Sequence, residues 1–225
     1  MLTTRTVDID SAGRRLRGTV TERAGGRPSS AAVLFVHGLG SSQEAYLPRA
    51  ERTVLALGLR CLTFDLSGHG ADKANLSHYS IYEHIDDVVS AYDHLTVVEG
   101  ADAARMGACG ASYGAYLVAL LSARRNVKRL VLRAPALASD VEFPAPKNHR
   151  PSDFDSIRAV SNFAGDVLVV ESELDERIPH SQILAYLRAS RNSSHEVIPR
   201  ARHALELPAW DEKFVGFLID WFKNL

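Results

Sequence analysis

The chain predicts an α/β fold: an eight-stranded, mainly parallel sheet with an antiparallel hairpin at the N-terminus and helices on both faces. Three observations carry this expectation. Short, continuously apolar runs recur along the 225 residues, as strands buried on both faces require. Stretches with helical spacing of apolar residues separate these runs. Strand and helix therefore alternate, the pattern of a parallel sheet wrapped by helices. At this length a single domain, spanning residues 1–225, is the expected organisation.

The elements follow in order. Residues 5–10 and 15–22 alternate apolar and polar positions around Ser11-Ala12-Gly13, which predicts a hairpin. Residues 24–30 hold two glycines and a proline and read as a loop. Ala31 to Val36 is apolar throughout and stops at Gly38, the look of a central strand. Further strands are expected at residues 60–64, 105–109, 129–133, 166–170 and 195–198. The clearest helix places Ile81, Ile85, Val88, Val89, Tyr92 and Leu95 on one face. Others are expected at residues 44–57, 113–124, 180–188 and 208–222. The stretch between Pro135 and Asp166 must supply one more helix, leaving room for a small cap at about 138–160 or a plain surface loop. Phe143 and Phe154 are candidates for lining a pocket wall there.

Composition excludes several classes. Hydrophobic residues make up 46% and charged residues 24%, as in an ordinary globular chain. The net charge of −1, from 26 basic and 27 acidic residues, argues against a nucleic-acid or anionic-membrane binder. Residues 106–123 carry no charge, a length that suggests a membrane span. Gly107, Gly110 and Gly114 crowd its first half, so a buried strand, a sharp turn and a buried helix are expected instead. Two cysteines, Cys61 and Cys109, cannot form a disulfide framework and are expected as reduced, buried thiols. No apolar signal core follows Met1-Leu2-Thr3-Thr4-Arg5, so a cytoplasmic location is expected.

The chemistry gathers where strands end. Gly110-Ala111-Ser112-Tyr113-Gly114 fits G-x-S-x-G, with an apolar strand running in and an apolar helix running out. That context suits a nucleophile elbow, in which a serine sits on a strained strand-to-helix turn. A serine hydroxyl needs a base, and the base needs an orienting group. Elbow architectures supply them in the chain order serine, acid, histidine. Beyond residue 175 only His180, His195 and His203 remain. His180 is too close in sequence to the acid, and His195 falls inside a strand. His203, just after the last strand, is the candidate base. The acid belongs after the strand at 166–170, where Glu171, Glu173, Asp175 and Glu176 crowd together. Asp175 is the candidate, with Glu171 and Glu173 behind it. Backbone donors for an oxyanion are expected from Tyr113, next to the serine, and from Leu39 in the His37–Ser42 loop.

These marks together resemble the α/β-hydrolase superfamily over nearly the whole chain. His37-Gly38-Leu39-Gly40 is similar to the family's oxyanion loop, and Asp65-Leu66-Ser67-Gly68-His69-Gly70 to its D-x-x-G-x-G turn. Leu174-Asp175-Glu176-Arg177-Ile178-Pro179 resembles its acid loop and supports Asp175, and His203 falls where its histidine would. Ala-Ser-Tyr-Gly-Ala differs from the elbow of many esterases and lipases, which has His before the serine and a Gly pair after it, and its Ser-Tyr-Gly is reminiscent of the prolyl-oligopeptidase-like branch. The resemblance implies an α/β-hydrolase fold and hydrolysis of an ester or thioester of a small acyl substrate through an acyl-enzyme. A small serine peptidase or amidase is the alternative, and a non-catalytic binding protein on the same fold is a third reading. Neither a metal nor an organic cofactor is needed for this chemistry, and no metal-ligand spacing or phosphate-binding glycine loop is evident. Oligomeric state is left open.

Overall fold

The computed structural model describes residues 1–137 and 154–225. One eight-stranded sheet runs through it in the order β1-β2-β4-β3-β5-β6-β7-β8. β1 (Leu2–Ser11) and β2 (Arg14–Arg23) form the expected hairpin, in register from Leu2 opposite Arg23 to Ser11 opposite Arg14. β2 is antiparallel to β4 (Arg60–Phe64). From β4 onward all neighbours are parallel: β3 (Ala32–Val36), β5 (Met106–Ala111), β6 (Arg129–Arg133), β7 (Asp166–Ser172) and β8 (Ser193–Ile198).

Period-two alternation splits the core into two layers. On β3, Ala32, Leu34 and Val36 face one side, while Val33 and Phe35 face the other. The first side is covered by α2 (Ile81–Asp93), α3 (Tyr113–Leu121), α4 (Ser156–Asn162) and α5 (His180–Ala189). The second is covered by α1 (Leu47–Leu57) and α6 (Pro208–Phe222), which pack on each other. Ser80 starts α2 with a reciprocal capping box to Glu83. All of α3 is buried, because it lies directly on the sheet beneath its neighbours. No helix among the described residues is long and apolar enough to cross a membrane.

The topology positions the site. β3 sends the chain outward to β4, and β5 then returns on the opposite side of β3. The strand order reverses there, which opens a crevice at the carboxyl ends of β3 and β5. The His37–Ser42 loop and Ser112 both sit at that crevice. Cys61 and Cys109 are free and buried, separated by β3. Most of the segment considered for a cap, residues 138–153 with Phe143, lies outside the described residues. Its described end leads into α4, the helix expected between Pro135 and Asp166, and Phe154 packs edge-on against Tyr82 with ring centroids 4.4 Å apart.

Candidate active site

Ser112 closes β5 and opens α3 with φ 54° and ψ −117°. A side chain at positive φ is strained, and neighbouring structure must hold it there. The two glycines of the motif explain how. A Cβ on Gly110 would overlap the backbone of Gly114, and a Cβ on Gly114 would overlap the carbonyls of Val36 and His37. Only glycine lets α3 descend onto β3 and β5 this closely. Next door, β6 clamps the turn. The Ser112 N–H donates to the Arg133 carbonyl at 2.9 Å, and the Ser112 carbonyl accepts from Ala136 N at 3.2 Å.

Asp175 and His203 meet. Both Asp175 carboxylate oxygens reach His203 Nδ1, at 3.0 and 2.9 Å. Burial opposes ionisation of Asp175. Hydrogen bonds from the His203 ring and from the Ile178 and Arg177 amides outweigh it and hold the carboxyl below its usual range. With Nδ1 donating to a carboxylate, Nε2 is left as the acceptor on the ring's other edge. His203 is anchored at two further points. Its N–H donates to Glu176 at 3.1 Å, and its carbonyl accepts from the Arg133 guanidinium. The acid loop is also sewn to the histidine loop by Leu174 N to Ala201 O at 2.8 Å.

The runner-up acids are engaged elsewhere. Glu171 bridges His180 Nδ1 at 2.8 Å and His195 Nε2 at 2.9 Å. Glu173 accepts the Arg200 amide at 2.7 Å. Strand alternation places Glu171 on the side of Val169, under the α2–α5 layer, two residues short of the turn that brings Asp175 round to His203. No hydrogen bond links Ser112 Oγ to His203 among the described residues, so the expected serine–histidine contact is not closed here. Such contacts are commonly long in unliganded sites and tighten when substrate is present.

Tyr113 follows Ser112 directly, and Leu39 follows Gly38 in the His37–Ser42 loop. Tyr113 is the first residue of α3, so its N–H has no acceptor within the helix. No backbone acceptor among the described residues takes the Leu39 N–H. The preceding Gly38 lies directly against Ser112, where an added Cβ would come 3.7 Å from the serine Cβ.

Beneath this loop is a feature that motif reading missed. His37, His69 and His84 form a buried column, with ring centroids 4.9 and 5.2 Å apart, the first pair tilted and the second edge-to-face. His84 Nδ1 meets the Tyr113 hydroxyl at 2.8 Å, and its Nε2 meets the Ser67 carbonyl at 2.9 Å. His37 Nδ1 meets the Gly38 carbonyl at 2.8 Å, while its Nε2 accepts from Leu66 N at 3.2 Å. Each of these two rings is satisfied with one donor and one acceptor, the neutral form. Burial dominates their titration. It pushes His37 down to about 3 and His84 down to about 4, against the opposing pull of the carbonyl bonds. His69 is lowered for the same reason. The column holds up the Tyr113 ring, and so the amide beside Ser112. Its sequence signal was present in His37-Gly38 and Gly68-His69-Gly70, but only packing joins the three rings.

The chain matches the family model described as serine aminopeptidase, S33, over residues 27–151. No curated protein sequence matches it significantly. Among solved structures it is similar to Est1E of Butyrivibrio proteoclasticus, solved with ferulic acid bound, with TM-score 0.78 and 16% identity over 97% of this chain and 100% of that one. It is similar to a hyperthermophilic esterase of Pyrobaculum calidifontis, with TM-score 0.78 and 19% identity over 99% of this chain and 83% of that one. It also resembles an acylaminoacyl peptidase of Pyrococcus horikoshii, with TM-score 0.76 and 15% identity over 99% of this chain but 41% of that one. At these identities the likeness is one of fold.

Proposed function

This chain belongs to the serine aminopeptidase S33 family of α/β-hydrolases, and from that premise we propose that it hydrolyses carboxylic esters or thioesters of small acyl substrates through an acyl-enzyme. The observation that carries the reading is a strained elbow at Ser112 together with His203 held by the Asp175 carboxylate at 2.9 Å, the two tied through Arg133. In this mechanism Ser112 Oγ attacks the carbonyl carbon while His203 Nε2 takes its proton. Asp175 keeps the ring in the tautomer that can accept and stabilises the imidazolium. The amides of Leu39 and Tyr113 donate to the developing oxyanion, each contributing on the order of 3 kcal/mol to the barrier reduction. The tetrahedral intermediate collapses as His203 returns the proton to the departing alkoxide or thiolate. Water, deprotonated by the same ring, then releases the acid and restores Ser112.

One feature favours an ester over a peptide. Leu39 and Leu174 are about half exposed on the loops after β3 and β7, which suits an apolar acyl group. The peptidase reading draws on the family's description and on the Pyrococcus neighbour.

A fluorophosphonate probe, with the modified peptide identified by mass spectrometry, tests the nucleophile. Adduct on Ser112 in the wild type and none in Ser112→Ala is the expected result. A matched ester and amide of one acyl group then separates the two chemistries, with the ester expected to turn over faster. An amide turned over as fast as its ester would move the assignment to a peptidase or amidase.

A further inference from the structure

The proposed nucleophile, acid and base lie at the ends of β5, β7 and β8. β6, between β5 and β7, supplies none of them. Its last residue is Arg133, a charged side chain that is 6% exposed. The backbone of Arg133 accepts the Ser112 N–H at 2.9 Å, and its guanidinium donates to the His203 carbonyl. One residue thus touches the serine turn with its main chain and the histidine loop with its side chain. The next residue, Ala134, takes φ 42°, which turns the chain so that Ala136 can reach the Ser112 carbonyl.

Stability alone is a poor reason for this arrangement. A buried cation is costly unless paired and fully hydrogen-bonded. Arg133 forms no ion pair among the described residues, its second contact is to Ser172 Oγ at 3.5 Å, and its Nε has no partner. Burial lowers its pKa from the usual guanidinium range, although it stays charged. An apolar residue would fill the position with less penalty.

We propose that Arg133 is a positioning residue that locks the His203 loop in register with the Ser112 turn, so that the imidazole edge faces the serine hydroxyl when substrate binds. This rests on the Ser112–His203 reading above. Asp175 fixes how the ring is turned, and Arg133 fixes where its backbone sits relative to β5. The side chain reaches past Ser172 at the end of β7 to the loop after β8, a reach for which its length and planar fork suit it.

The test is Arg133→Met beside Arg133→Lys in the intact chain, with thermal unfolding to confirm folding. Arg133→Met is expected to lower kcat for an activated ester by about 10- to 100-fold with KM little changed, because misplacement of about an ångström acts on the chemical step. Arg133→Lys, able to donate one hydrogen bond to the same carbonyl, is expected to recover part of the loss. An independent readout is the downfield proton resonance of the His203–Asp175 hydrogen bond, assigned by its loss in Asp175→Asn. It should broaden or vanish in Arg133→Met. If Arg133→Met does not fold, Arg133→Lys decides on both readouts. A folded variant with kcat within twofold of wild type and an unaltered resonance would overturn the proposal. If wild type neither labels at Ser112 nor turns over esters, the functional reading fails, and the resonance still judges Arg133 by itself.

Discussion

Two sets of histidines occupy opposite flanks of Ser112, and they differ in what holds their rings. His203 is hydrogen-bonded through Nδ1 to the Asp175 carboxylate. His37, His69 and His84 are buried against each other and against main-chain carbonyls. In the three buried rings desolvation disfavours protonation and outweighs the main-chain carbonyls, and the Asp65 and Asp87 carboxylates, that favour it. The first arrangement suits the base that we propose. The second is a neutral, buried support for Tyr113 and the His37–Ser42 loop. The lesson is that a histidine's part is set by its partner and its burial, not by its distance from the nucleophile.

Breaking the reactive flank should cost most. His203→Ala is expected to reduce kcat on the order of 10⁶-fold, as seen when a base that acts as one unit with its nucleophile is removed. Ester turnover by the purified variant checks this, and retention of activity within tenfold would place the base elsewhere. Asp175→Asn should cost about 10⁴-fold, since it leaves the ring in place with the wrong tautomer. Its kcat, compared with that of Glu171→Gln, identifies the acid.

The supporting flank should show itself in stability. His37 and His84 have lower pKa values folded than their ordinary 6.5. Below pH 6.5 the unfolded chain therefore binds more protons, so stability is whole above that pH and drains away as pH falls toward 4. At pH 5.5 two such rings together amount to about 3 kcal/mol relative to pH 7.5. Unfolding midpoints across this range should fall steeply, and less steeply in His84→Gln, which removes one titrating ring. Equal slopes in the two proteins would mean that His84 is not buried neutral. The smallest effect is expected at Glu171→Gln. Its two histidines, His180 and His195, lie near the surface beyond the Asp175 turn, so ester kcat should stay within about twofold.

Much of the fold was legible because buried parallel strands are written as apolar runs. β4 and β6 fall where the sequence predicts, at Arg60–Phe64 and Arg129–Arg133. Element ends were less so. The first helix was expected from Glu44 but begins at Leu47, after a 3-10 turn over Gln43–Ala45. Pro48 suits a first turn, where its missing N–H is not needed. β8 begins at Ser193 rather than His195, because pairing of Ser193 with Val167 extends a polar edge strand that carries no apolar pattern. β5 starts at Met106 and runs on to Ala111, with Arg105 left in the preceding turn.

The sequence by itself determined the strand order of the chemistry: a serine between two glycines, then an aspartate loop, then a histidine after the last strand. Such motifs are local, since turn geometry and apolar runs are properties of neighbouring residues. The acid-loop pattern already favoured Asp175 among four carboxylates, but how three distant histidines come together and why an arginine is buried at the end of β6 were decided by tertiary structure alone. Each depends on residues far apart in the chain, such as Arg133 and His203, being brought within hydrogen-bond reach. Hydrogen bonds and burial act over a few ångströms of space, and linear order carries no record of that distance until the sheet has formed.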